Sequence, residues 1–245
     1  MAYTWNDLLS MVDPVVHRLV KDRQAATVCN RALLEIWDEY DWRESLAEHD
    51  PWYLIPARQD YPSPFSATPS DFRGLRKTYL IYTAGDPPVY QPLNVLRNLE
   101  PTLAMRLPEA ISYEPSISGY RVFPRPPRSM GSPDWMIGGT YKKEPARVTN
   151  GTLAGSTPFA DDFLEALLQG IKWAAFDLAG DQRAGGTQVQ DNFKVHTGQY
   201  GNFMAAIAEI AGDYGLDDGD HKVSPSEPLA VTGYNGGGWP GGLFR

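Results

Sequence analysis

The residue types in this sequence that could do chemistry are present, but no spacing assembles them into a reaction site. The four histidines, His17, His49, His196 and His221, stand far apart. No HExxH step and no Cys/His cluster accompanies them, so metal-ligand spacing is missing. The only cysteine, Cys29, lies in the middle of an apolar helical pattern. A nucleophilic thiolate needs an accessible, electropositive setting, and Cys29 is instead expected to be a buried small hydrophobe. Asp213, Asp217, Asp218 and Asp220 surround Gly215 and Gly219. They lack the alternation and the closing Glu of a calcium loop, which leaves a solvated turn. Glu35, Asp38, Glu39 and Asp41 crowd one helix end without the His step of a di-iron site. The run Gly236-Gly237-Gly238-Trp239-Pro240-Gly241 fits G-x-G-x-x-G in letters only, because a dinucleotide fingerprint needs a strand before it and a helix after it. A P-loop and a GxSxG elbow are both absent, and no spacing marks a glycosidase carboxylate pair. Asn150-Gly151-Thr152 is a glycosylation sequon, relevant only to a secreted chain. The seven tryptophans are dispersed, as expected of core and interface residues rather than a sugar-binding face. The reading is therefore of a non-enzyme, with no catalytic, metal-binding or cofactor-binding residue to assign.

Composition narrows the class. With 245 residues and 42% hydrophobic content the chain can bury a sizeable core. The formal net charge of -8 opposes a surface built to grip nucleic acid, since phosphate neutralisation needs clustered Lys and Arg. The charge is uneven. Residues 71–150 carry eleven basic and seven acidic side chains, so the middle is basic and the flanks are strongly acidic. Such polarity favours head-to-tail contact between copies. Within the middle, Arg121, Arg125, Arg128, Lys142 and Lys143 form a candidate basic contact stripe. No apolar run approaches the length that spans a bilayer, and the first residues resemble no secretory leader. A cytoplasm-like compartment is expected.

The elements that must position these residues fall into four stretches. Residues 1–48 read as helices. Thr4 with Asp7 marks one start, Asp13-Pro14 a second, and a third helix runs from about Gln24 to Tyr40. Residues 49–150 read as a β-rich module with long loops, broken by prolines. Its strands are expected at Trp52–Ile55, Lys77–Thr83, Gly119–Phe123 and Trp135–Lys142, with helical turns at Asn94–Arg97 and Thr102–Arg106. Helices return over residues 151–215. One is capped by Thr157-Pro158, and a last one spans about Thr187 to Ala211 with a break near Gly198 and Gly201. Residues 216–245 form an extended Gly/Pro/aromatic tail that cannot make its own core. Its aromatic and apolar residues Tyr234, Trp239, Leu243 and Phe244 suit a docking arm, because few rigid anchors can carry an interface. The fold class is α+β: a helical bundle formed by N-terminal and C-terminal helices, with the β-rich module inserted between them.

Five blocks in this order resemble the head-to-tail adaptor (connector-ring, tail-tubular-A-like) proteins of tailed bacteriophages. They are Ala32–Trp42, Thr68–Arg73, Tyr120–Pro126, Gly139–Val148 and Thr157–Phe163. The resemblance covers about residues 4 to 211; the tail and the proline-rich loops between Asp86 and Ser118 depart from it. It implies a structural virion protein at the head–tail junction, assembled in the host cytoplasm. Such a subunit forms a dodecameric ring below the portal protein and attaches the tail nozzle or tail-tube proteins. It extends the channel through which genome DNA passes without sequence-specific binding. The alternatives are a tail-completion or minor tail protein and, from another class, a cell-wall-binding or cell-wall-degrading protein.

Overall fold

The computed structural model describes residues 3–12, 24–62, 68–131, 133–190 and 193–216. The chain is α+β. Among the described residues it has four α-helices, a seven-stranded sheet and a separate two-stranded ribbon. The second helical start, at Asp13-Pro14, lies outside the described residues.

Helix α1 (Trp5–Met11) begins at the expected capping box, with the Asp7 N–H donating to Thr4 Oγ1 and the Thr4 N–H to Asp7 Oδ2. Helix α2 spans Ala25–Glu39. Helix α3 (Leu164–Leu178) starts later than its sequence suggests: Thr157 does not cap it. The Thr157 N–H donates instead to Tyr3 O, and a 3-10 turn at Asp161–Phe163 leads into the helix. Helix α4 is Gly198–Asp213. Buried residues of all four helices, among them Leu8, Ile36, Ile171 and Ile207, share one apolar core. Gly170 allows the closest crossing, since a Cβ there would lie 2.8 Å from Phe203 and 2.9 Å from the Ala32 Cβ.

The expected last helix from Thr187 is shorter than predicted. Its first half is a hairpin, β8 (Gly186–Gln190) and β9 (Phe193–Thr197), whose register leaves a two-residue connection. Thr187, Val189, Val195 and Thr197 are β-branched, and they favour a ladder over a helix. Gly185, at φ +71°, and Gly198, at φ +63°, bound the hairpin.

The large sheet comprises β1 (Leu46–Tyr53), β2 (Asp60–Pro62), β3 (Phe72–Tyr82), β4 (Val89–Leu96), β5 (Ala110–Glu114), β6 (Gly119–Phe123) and β7 (Trp135–Lys143). Their order is β1-β7-β3-β4-β5-β6-β2. All pairs are antiparallel except β4 with β5. The module starts at Leu46, three residues before the predicted boundary. The helical turn expected at Asn94–Arg97 is instead the end of β4, and Thr102–Arg106 is irregular chain with a single bridge from Met105 to Arg125. Both stretches are too short for periodicity to tell a turn from a strand.

The outer strands of this sheet meet each other. Trp52 of β1 and Tyr61 of β2 have ring centroids 4.5 Å apart, and Trp52 also stacks on Tyr120 of β6 at 6.0 Å. The sheet therefore curls around a second core that includes Leu54, Leu80, Ile111, Val122 and Ile137. The Tyr61 hydroxyl sits inside the curl, accepting from the Ile55 N–H and lying 3.1 Å from Arg58 O.

Candidate functional site

Three places are candidates, and two of them collect residues that the sequence singles out. The first is the contact between helices and sheet. The acidic end of α2 is not a metal cradle. Asp38 receives Arg73 at 2.6 Å, Asp41 receives Arg76 at 2.6 Å, and the Lys142 ammonium donates to Tyr40 O at 2.7 Å and to Asp41 at 3.2 Å. The Lys142 side chain is only 3% exposed, and burial lowers its pKa against the raising effect of Asp41. Trp37 Nε1 donates to Lys143 O, and the Tyr141 hydroxyl donates to Asp71 Oδ1 at 2.9 Å. Phe163 packs edge-on to Trp42 at 4.9 Å, and Phe72 lies against Tyr120 and Tyr141. The blocks 32–42, 68–73 and 139–148 thus meet across this junction, while 157–163 joins them through Trp42 inside the helical core and 120–126 through Phe72 inside the sheet core.

The second place is the predicted basic stripe, which the structure does not leave as a row of available cations. Lys142 is buried in the junction. Arg121 is 14% exposed and holds Asp60 through two hydrogen bonds at 2.6 and 3.2 Å. Arg125 is partly buried, and its Nε has no hydrogen-bond partner among the described residues. Lys143 is half-buried, and Arg128 is exposed. Spacing could not reveal this, because the anchoring carboxylates Asp41 and Asp60 are far away in sequence.

The third place was not foreseen: the outer face of the sheet. Trp52, Ile137 and Leu80 sit in one cross-strand row and are buried in the sheet core. Side chains alternate faces, so the adjacent rows point outward. One of these outer rows runs Tyr53, Met136, Ile81, Tyr90 across β1, β7, β3 and β4. The other contains Gly138, Tyr79 and Pro92, and a Cβ on Gly138 would touch Pro51 at 3.5 Å. Neither row holds a charged residue. Tyr90 is 61% and Tyr53 49% exposed. From strand and row spacings the two rows cover about 300 Å². A polar row of Glu48, Thr140 and Lys77 bounds them on the junction side. The readable signal was alternation in β3, where Tyr79 and Ile81 alternate with Thr78 and Leu80 and leave both faces apolar.

His49 sits among aromatic residues, 5.3 Å from Tyr120 and 6.2 Å from Tyr141, and is a core residue. Burial pushes the Cys29 thiol up to about 12. Among the described residues no group of three or more His, Cys, Asp or Glu side chains is placed to hold a metal ion. No helix among them is long and apolar enough to cross a membrane. The docking residues Tyr234, Trp239, Leu243 and Phe244, with the acidic residues Asp217, Asp218 and Asp220, lie outside the described residues. No protein-family model matches this chain, and no curated protein matches it.

Proposed function

We propose that this chain is a non-catalytic assembly subunit: the adaptor of a tailed bacteriophage, forming a dodecameric ring between the portal protein and the tail nozzle or tail tube. Its place is the head–tail junction of the virion, reached by assembly in the host cytoplasm. In this reading the four helices are one bundle built from both ends of the chain. The β module is inserted into that bundle, and the tail docks through Tyr234, Trp239, Leu243 and Phe244 on a neighbour or on the portal. Genome DNA passes through the ring without sequence-specific binding, in keeping with a net charge of -8.

The observation that best supports this reading is that contacts link all five resembling blocks, three of them across the junction of helices and sheet. Asp38 and Asp41 hold Arg73, Arg76 and Lys142, while Trp42 meets Phe163. Residues so engaged serve as framework rather than catalytic groups, since their polar atoms are already paired internally. The uncharged outer face is consistent with it, because the largest apolar patch of a soluble protein, about 300–600 Å², is often functional.

Imaging the purified protein with and without its portal protein tests the proposal. Closed rings stacked on the portal are expected. A chain that stays monomeric beside the portal, or that hydrolyses peptidoglycan until one carboxylate is mutated, overturns it in favour of a cell-wall protein.

A further inference from the structure

The outer sheet face asks what covers it, and the strand geometry limits the answer. The Asn94 N–H donates to Glu109 O, away from β3. Backbone direction alternates along a strand, so Tyr90 and Pro92 turn their backbone groups to that same edge, where β5 pairs only with residues 94–96. Proline has no N–H, so of these two residues only Tyr90 can donate from its backbone at this edge. An added strand would gain few hydrogen bonds. The occupant must instead be recognised by burial of aromatic and apolar side chains, and it should carry no charge to match, because the face carries none.

This chain supplies such a segment. Residues 228–244 contain no charged side chain, and among their glycines and prolines they carry Leu229, Val231, Tyr234, Trp239, Leu243 and Phe244. The described chain ends at Leu216, at the helical end of the molecule, where Tyr214 packs edge-on to Trp42. The face lies towards the opposite end. Along the strands, Ile81 and Met136 are about 20 Å beyond Arg76 and Lys142, which tie the sheet to α2. Residues 217–227 can bridge at most about 37 Å. That reach also covers the roughly 20 Å to the same chain's own face. Between copies, a segment rooted at one end and a matching face at the other make a heterologous pair, the arrangement that closes a ring or extends a chain of copies.

We infer that the outer face formed by Tyr53, Met136, Ile81, Tyr90, Tyr79 and Pro92 is the receptor for the uncharged segment 228–244 of a second copy of this chain. The inference rests on the homo-oligomer reading above and deepens it by naming both halves of the contact. Tyr53 and Tyr90, as the most exposed aromatic residues of the face, act as its anchors.

The test uses the full chain, with p-benzoylphenylalanine in place of Trp239. These copies are mixed with isotopically heavy copies that lack the photoreactive group, illuminated, and mapped by mass spectrometry. The expected crosslinks run between copies, from position 239 to residues 51–53, 79–92 and 135–138. Tyr53→Lys with Tyr90→Lys in the heavy copy should lower their yield at least about tenfold, the size of effect expected for anchor residues. Leu103→Lys, at a residue 84% exposed and outside the two rows, should leave the yield unchanged. Both tyrosines are exposed, so an unaltered thermal melt is the control for folding. Crosslinks confined to one copy, crosslinks to other surfaces, or a yield insensitive to Tyr53 and Tyr90 would each overturn the inference. Rings that form without this crosslink defeat the inference and leave the adaptor reading standing. The crosslink without closed rings defeats the adaptor reading instead.

Discussion

Lys142 illustrates how position decides what a charged side chain does. In sequence it is one of five cations suited to a contact surface. In the fold its ammonium is enclosed between Tyr40 O and Asp41. Breaking a buried pair from one side leaves an uncompensated charge, whereas removing the costly buried ion itself is milder. Asp41→Ala should therefore destabilise the protein by about 3 kcal/mol or more, since it strips Lys142 and Arg76 together. Lys142→Met should be distinctly less damaging, and the double variant should recover part of the Asp41→Ala loss. Urea unfolding of the three variants measures this. Equal losses for both single variants would mean that Lys142 is not buried against Asp41. Cys29 offers a second test at this scale. With its thiol pushed up to about 12 by burial, it should resist iodoacetamide in the native protein near pH ~8 and react fully in urea. Rapid native labelling would show that α2 does not pack as described.

The sheet depends on close approaches that only particular residues allow. A Cβ at Gly139 would stand 2.1 Å from the Lys77 carbonyl oxygen in the neighbouring strand, while one at Gly186 would meet nothing within 4 Å. Gly139→Ala should cost about 2 kcal/mol or more by forcing β3 and β7 apart, and Gly186→Ala should be near neutral. Thermal melts distinguish the two, and a harmless Gly139→Ala would contradict the β3–β7 register. The curled module also shields phenols. Burial pushes Tyr61 up to about 12, and burial, with the Asp71 carboxylate next in effect, pushes Tyr141 to about 12. A free phenol ionises near ~10. For groups raised in the folded state, the stability contribution is complete below about pH 10 and is lost as pH rises through about 12. Tyrosinate absorbance should accordingly show a late fraction that ionises together with loss of circular dichroism. Ionisation of every tyrosine near ~10 without unfolding would exclude the enclosed core.

At this same scale the sequence was informative where one physical signal dominated. The Thr4/Asp7 box and the apolar periodicity of α2 predicted both elements closely, and Gly119–Phe123 matches β6 to the residue. Strands β2 and β5 are short and β4 is interrupted by Pro92, so their place in the sheet depends on partners distant in sequence. The β8–β9 hairpin is hidden in the sequence because Phe193, Tyr200 and Phe203 fall near helical spacing across the Gly198 break. The apolar outer rows emerge only when register places Tyr53, Met136, Ile81 and Tyr90 side by side.

At the scale of the whole molecule, ion pairs join the helical core to the sheet core, and an uncharged face lies on the sheet. In the proposed role DNA must slide past the chain, and the net charge of -8 opposes a tight grip. Binding to DNA should be weak, salt-sensitive and indifferent to sequence, as a fluorescence titration across salt concentrations would show. Nanomolar affinity for one sequence at physiological salt would contradict a sliding channel. The central claim is that this chain works by assembling with itself and a portal, and particle mass tests it most directly. Mass photometry of the full chain with portal protein should give a discrete species whose added mass is a whole-number ring of 27.2 kDa subunits. In the Tyr53→Lys, Tyr90→Lys variant that species should collapse towards free subunits. A wild-type chain that remains at its monomer mass in the presence of portal would contradict the account.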